Sequence, residues 1–275
     1  MKITFNGTGA SEGFPALFCE CEHCAKARTM HPKNFRMRSS CLIDTSLLID
    51  FSADTYARCL YGKIDLTKVT DILFTHSHGD HLYSSDLFKI VPPFGVHNRA
   101  EPLRLFGNEA VGIDLENNGI LSEKGEKYFK FTPLQFFIKY EIQNYTITPL
   151  PANHDFKNGS MIHIIEGPDK KLLFAYDTGV FFPEVWEFIK DYYFNAVILD
   201  CTTGPHECEY KTHMGIPENI EVKKRMLLEG SADKETLFFL SHFAHSGAPF
   251  FNDMKKIADK NGFIAAYDGM EVHLL

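Results

Sequence analysis

The densest chemical signal in the chain is Thr75-His76-Ser77-His78-Gly79-Asp80-His81, where four potential metal ligands fall within six positions. They follow the apolar run VTDILF, and the end of a buried strand is rigid enough for the tolerance a metal demands. If the backbone stays extended from residue 76 to 79, His76 and His78 project to one side. A turn at Gly79 then aims Asp80 and His81 at a neighbouring point. The alternative is a set of surface histidines beside a helix start, with Asp80 as its N-cap. Against it stands the scarcity of histidine, of which the whole chain has 13.

More histidines and an aspartate close later apolar runs: His154 in PANHD, Asp177 in AYDTG and His242 in FLSHFAH. Each alone reads equally as a turn former or as an exposed or hydrogen-bonded ring. Together, H-x-H-x-D-H followed by His, Asp and His, each after an apolar strand, resembles the metallo-β-lactamase superfamily over nearly the whole chain. The resemblance implies an α/β (α+β) fold, a four-layer αββα sandwich with a metal site at one edge between two sheets. It also implies that His76, His78 and His154 hold one metal, that Asp80, His81 and His242 hold a second, and that Asp177 bridges them.

Imidazoles and carboxylates suit Zn, Mn or Fe, so the ligand types leave the two divalent ions unidentified. Two such cations with two aspartates and one hydroxide leave a site of about +1, which favours an anionic substrate. A water shared by the pair is acid enough to give a bridging hydroxide near neutral pH, and the same cations neutralise charge developing on a phosphoryl or carbonyl oxygen. Asp80 is a candidate to orient that hydroxide as well as to bind metal. Cleaving a phosphodiester also needs help for the leaving oxygen. His213 in Lys211-Thr212-His213-Met214-Gly215 is the candidate general acid or oxyanion donor. On its own it reads equally as an exposed loop histidine, but a histidine followed by Met and a small residue resembles the phosphodiesterase branches of the superfamily.

Cys19, Cys21 and Cys24 supply three thiolates, and Ser241-His242-Phe243-Ala244-His245 carries a second histidine beyond the expected ligand. Three cysteines with His245 satisfy a tetrahedral structural zinc, closed to water. On a strand, the odd spacing of His242 and His245 sends them to opposite faces and so to different metals. His23 competes as fourth ligand, and Cys41, Cys59, Cys201 and Cys208 stay open, although each also reads as a buried small apolar residue. A redox role for the three cysteines is the alternative to zinc.

With this cluster in view the chain resembles the PhnP-like branch, the cyclic-phosphate phosphodiesterases associated with phosphonate breakdown. The matching residues are GTGASEGFPALFCECEHC, THSHGDH, His154, Asp177, His213, the His242/His245 pair and AYDGM. PqqB proteins share a similar cysteine cluster, and H-S-H-G-D-H is also common in the tRNA 3′-processing branch. The expected activity is therefore a binuclear metal-dependent phosphodiesterase for small cyclic phosphates or nucleotides. A lactone or thioester hydrolase, a tRNA 3′-processing-like nuclease and a non-catalytic, PqqB-like accessory protein are the alternatives.

The elements that must position these residues read as strands KITFNG, SSCLIDTSLLIDFS, VTDILFT, YTITPLPA, MIHIIEG, KLLFAYD, NAVILD, ETLFFLSH, GFIAAYD and EVHLL. The expected helices are ADTYARCL, the segment after His81, FPEVWEFIKDYY, IPENIEVKKRMLLEG and FNDMKKIADKNG. No repeat or low-complexity linker divides them, so one domain over residues 1–275 is the simplest organisation. The stretch from about Ile90 to Tyr140 is the least regular and is the expected substrate-side loop region. Phe14, Phe18, Tyr83, Phe94 and Phe156 are candidates to line a ring-sized pocket, although most of the 25 phenylalanines must be core.

Composition limits the partners. Charged residues at 23% and hydrophobic residues at 44% describe an ordinary globular chain. A net charge of −8, with no evident basic arm, argues against gripping long nucleic acid. No apolar run reaches membrane-spanning length, and MKITFNGTG alternates like a strand instead of building a secretory signal. Seven cysteines, three of them too crowded for a disulfide framework, fit a reducing cytoplasm. The expected partner is a small anionic phosphodiester, with a homodimer left open.

Overall fold

The computed structural model describes residues 1–30, 32–61 and 64–274. Among them, fourteen strands form two seven-stranded sheets. The first sheet takes β1 (Lys2–Gly7), β2 (Ser40–Ile43), β3 (Leu47–Ile49), β4 (Asp71–Leu73), β5 (Leu103–Gly107) and β6 (Phe129–Pro133) in chain order. The second takes β7 (Tyr140–Ile142), β8 (Tyr145–Pro151), β9 (Met161–Glu166), β10 (Lys171–Ala175), β11 (Ala196–Asp200), β12 (Leu237–Ser241) and β13 (Ile264–Ala265). The chain then returns to the first sheet, where β14 (Glu271–His273) pairs antiparallel with β1.

Ile3, Phe5, Ile43, Leu73 and Phe106 from the first sheet and Ile147, Ile165, Phe174, Ile198 and Phe239 from the second pack into one buried layer between the sheets. Their alternates along the same strands, such as Leu48, Ile72 and Leu105 or Leu150, Leu173 and Leu240, face outward under helices. The period of two thus gives each sheet two buried faces, which is why the strands read as near-continuous apolar runs. The outer layers are α2 (Thr55–Leu60), α3 (Ser84–Leu87) and α4 (Glu109–Asn117) on the first sheet, and α5 (Pro183–Ile189), α6 (Ile216–Glu229) and α7 (Phe251–Lys260) on the second. A short α1 (Glu22–Ala27) lies in the cysteine loop, giving the expected αββα sandwich. Among the described residues no helix is long and apolar enough to cross a membrane.

The expectation of an irregular stretch from Ile90 to Tyr140 is overturned, since β5, α4 and β6 lie within it and β5 sits parallel between β4 and β6. Gly112 hides α4 by weakening its helical signal. A methyl there would stand 2.8 Å from the Phe131 ring, so glycine is what lets α4 lie close on β6. Asn108 caps α4 by accepting from Val111 N at 2.9 Å, and its Nδ2 donates to the carbonyls of Asn158 and Gly159, so this region buttresses the loop after His154. GFIAAYD keeps only the two-residue β13, and Leu275 of EVHLL lies outside the described residues.

Strand direction decides where the chemistry collects. β3 and β4 run parallel, as do β10, β11 and β12, while β8 reaches the same direction as β10 through two antiparallel steps. The carboxyl ends of these strands therefore lead to Asp50, His76, His154, Asp177, Asp200 and His242 at one edge, the usual place for a site in such sheets. The two sheets are tied there by Met161 N donating to the Thr75 carbonyl and Phe243 N to the Thr8 carbonyl.

Candidate metal centre

The residues from His76 to His78 leave β4 without entering a helix, so both rings fall on one side, with His76 Nε2 2.9 Å from His78 Nδ1. His154 brings Nε2 to 3.3 Å from the same His78 atom. Asp177 lies across from them at φ +50, and His242 sits at φ +60 at the end of β12. Such left-handed conformations in non-glycine residues persist where surrounding structure over-determines them, and here they turn both side chains off the strand ends into the site.

Asp177 is the hub. Its Oδ2 lies 3.0 Å from His81 Nε2, 3.3 Å from His76 Nε2, 3.5 Å from His242 Nε2 and 3.7 Å from His154 Nε2. Burial alone would raise its carboxyl, but the facing rings of His242, His76 and His81 hold it well below the usual carboxylate range. Asp80 Oδ2 stands 3.2 Å from His81 Nε2, and this neighbour, against burial, likewise holds the Asp80 carboxyl low. Ligand-capable atoms of His76, His78, His154 and Asp177 lie within 4.8 Å of one another, as do those of Asp80, His81, Asp177 and His242.

Whether a metal pair suits these residues can be judged from the buried atoms left over. His81 Nε2, His242 Nε2 and Asp177 Oδ1 are sealed from solvent and, although each has a polar neighbour within 3.5 Å, none is in a well-aligned hydrogen bond. Orphaned buried acceptors are costly, and several imidazole nitrogens converging on one carboxylate is the pattern a divalent ion satisfies. Burial pushes His76 down to about 4, which keeps the ring neutral and free to ligate.

Three carboxylates that the sequence reading did not assign orient these rings. Asp50 Oδ2 lies 2.6 Å from His81 Nδ1, Asp200 Oδ2 3.3 Å from His242 Nδ1, and Asp155 Oδ2 3.1 Å from His78 Nε2. Accepting a hydrogen bond from the N–H of one ring nitrogen leaves the other as a lone-pair donor, which fixes both tautomer and direction. The available signal was LLID and VILD, apolar strands ending in Asp just as FAYD does.

His213 joins this edge from the loop before α6. Its Nδ1 lies 3.1 Å from Asp200 Oδ2 and 3.2 Å from Asp177 Oδ1, and its ring stacks on His242 at 5.8 Å. Burial would lower its pKa, but Asp200 and Asp177 raise it to about 9. All of these polar contacts run through Nδ1.

The cysteines assemble elsewhere. Cys19, Cys21, Cys24 and His245 place their ligand atoms within 4.8 Å of one another, with Cys19 Sγ 3.6 Å from His245 Nε2. Glu12 Oε1 lies 2.8 Å from His245 Nδ1, directing Nε2 at the thiols. Donation from Cys24 N brings Cys21 down to about 7, whereas burial pushes Cys24 up to about 11. His23 stacks between Phe14 and Phe250 and is not in the group, nor is Cys41, which faces the Tyr176 hydroxyl. Strand spacing is not what separates His242 from His245, because β12 ends at Ser241 and the chain turns at His242. Cys21→Ser is expected to remove one zinc per chain and lower the unfolding midpoint by roughly 5 °C or more before it slows chemistry, read by metal analysis and thermal melting. Unchanged zinc content contradicts this assignment.

The aromatic candidates divide. Phe14 is buried in the small cluster with Cys24 and Phe250, so it lines no pocket. Phe18, Tyr83, Phe94 and Phe156 are exposed, and of these Phe156 packs on Phe182 beside the His154 loop.

A family model described as a beta-lactamase superfamily domain matches residues 41–232, the greater part of the chain. His242, His245 and the three clustered cysteines fall outside that span. An octanoyltransferase from Porphyromonas gingivalis is 36% identical over 90 residues, which are 31% of this chain and 17% of that protein. A ribonuclease Z from Metallosphaera sedula is 25% identical over 160 residues, 56% of this chain and 45% of that one. The chain thus spans less than half the length of these curated relatives. Among solved structures, a diphosphatase from the PhnP family superposes with a TM-score of 0.72 at 19% identity, over 100% of this chain and 98% of that one. Zinc-bound PqqB from Methylobacterium extorquens superposes with a TM-score of 0.76 at 15% identity over 100% of both chains. At these identities the likeness is one of fold.

Proposed function

The chain belongs to the β-lactamase superfamily and has the fold of its metal-dependent hydrolases, and from that premise we propose that it is a phosphodiesterase for small anionic esters, cyclic phosphates or nucleotides among them. The observation that carries the reading is His213, whose Nδ1 lies 3.1 Å from Asp200 Oδ2 and 3.2 Å from Asp177 Oδ1 beside the metal centre, an arrangement that favours the protonated ring. A thiolate leaving from an acyl group needs a proton donor less than an alkoxide leaving from phosphorus, so a placed donor fits an alkyl phosphodiester better than a thioester.

In this reading His76, His78 and His154 would hold one divalent ion and Asp80, His81 and His242 the other, with Asp177 within reach of both groups. When bound, such a pair supplies Lewis acidity and a water acid enough to serve as nucleophile near neutral pH. Asp80 accepts a hydrogen bond from the attacking water and orients it toward phosphorus. His213 donates from Nε2 to the leaving oxygen as its bond to phosphorus breaks. Asp200 keeps the ring upright through Nδ1 and stabilises its positive charge before transfer. Cys19, Cys21, Cys24 and His245 take a structural zinc that braces the loop carrying His242. The acidic chain favours a small substrate over a long nucleic acid, and the thiolate cluster suits a reducing cytoplasm.

Metal-loaded protein assayed against cyclic and linear phosphodiesters, a tRNA 3′ end, lactones and thioesters tests this. Turnover of the small phosphodiesters in preference to the rest is the expected result. Acyl hydrolysis alone would select the acyl reading, and no turnover of any member would select an accessory role in binding.

A further inference from the structure

Asn153 immediately precedes His154, yet its hydrogen bonds lead away to two other loops. Its backbone N–H donates to Thr178 Oγ1 at 2.9 Å, and its carbonyl accepts from Gly179 N at 2.9 Å. Its carboxamide Nδ2 donates to the carbonyl of Val180 at 3.1 Å and to that of Lys211 at 3.2 Å. Thr178, Gly179 and Val180 follow the hub Asp177, and Lys211 stands two residues before His213. One side chain therefore joins the loops that carry His154, Asp177 and His213.

The junction has little slack. A methyl at Gly179 would lie 1.9 Å from the Lys211 carbonyl oxygen and 3.0 Å from Asn153 Nδ2, so the His213 loop presses on the Asp177 loop as closely as glycine permits. Lys211 is held at φ +59, a conformation that a long side chain adopts only when its neighbours impose it. Donation from Asn153 to the Lys211 carbonyl is one such constraint.

We propose that Asn153 is a positioning residue: its carboxamide sets the His213 loop against the Asp177 loop and so fixes where the proton donor stands over the metal centre. This rests on the reading of His213 as the acid for the leaving oxygen. Asn153→Asp keeps both backbone bonds and the side-chain shape but turns a donor into an acceptor facing two carbonyl oxygens, which drives the loops apart. Asn153→Ala removes the donor without adding charge, and so controls for misfolding caused by the new carboxylate.

The test compares two phosphodiesters with metal-loaded enzyme, one with an alkyl leaving group and one with 4-nitrophenol, whose anion leaves without a proton. Both variants should keep wild-type metal content and lose about tenfold to hundredfold in kcat on the alkyl ester, the scale of a displacement near 1 Å. KM should stay within about threefold, and the loss should shrink to about threefold or less on the nitrophenyl ester. In a His213→Ala background, Asn153→Asp should cost nothing further on the alkyl ester. Equal losses on both esters, or no loss on either, overturn the inference while an active wild type leaves the phosphodiesterase reading standing. A wild type that hydrolyses neither ester overturns that reading and the inference built on it.

Discussion

Asp177→Asn should lower turnover by roughly a thousandfold or more and leave the His/Asp centre short of metal. The substitution keeps the left-handed backbone at φ +50, which Asn tolerates, so the effect reports on charge and not on strain. Asp177 Oδ2 faces four imidazoles within 3.7 Å, while Oδ1 faces His213. Among the described residues no other carboxylate belongs to both ligand groups. With an amide there, Asp80 would be the one carboxylate left among the residues assigned to the two cations, with Asp50, Asp155 and Asp200 acting only through the rings, and the cations' mutual repulsion should expel one or weaken both. Metal analysis and turnover on the same preparation check this, with circular dichroism confirming the fold. Full metal content and a rate within about threefold of wild type would remove Asp177 from the centre.

His213→Ala should cost about a hundredfold to ten-thousandfold in kcat on an alkyl phosphodiester while metal content stays intact. The ring meets Asp177 Oδ1 and Asp200 Oδ2 through Nδ1 but is not itself among the seven residues assigned to the two ions, so its removal should leave metal content close to wild type. On a 4-nitrophenyl ester, where no proton is needed, the loss should be much smaller. An equal loss on both esters would make His213 a binding or structural group, and an unchanged rate would remove it from the mechanism.

The residues of the candidate metal centre were legible because the chain concentrates them. Four of them fall between His76 and His81, and the rest close apolar strands whose carboxyl ends share one edge. Asp50 and Asp200 end equally apolar strands, but nothing in a linear sequence says which histidine each will face. Only the parallel pairing that brings β3 beside β4 and β11 beside β12 makes them partners of His81 and His242. Asn153 was hidden for a related reason, since its partners lie 25 to 58 residues away. His245 was read with the cysteines, although the strand on which that spacing was argued stops before His242. The β5-α4-β6 segment escaped because its strands are short and its helix carries Gly112 at a packing contact, where local propensity gives way to tertiary fit.

Metal analysis of protein folded with excess Zn or Mn and then freed of loose ions bears most directly on a metal pair seated on seven residues beside a separate zinc. The expected result is about three metal equivalents per chain, falling to about two in Cys21→Ser and to about two or fewer in Asp177→Asn. A single equivalent that disappears with Cys21→Ser and is untouched by Asp177→Asn would contradict the pair, leaving a zinc-braced fold with no hydrolytic centre.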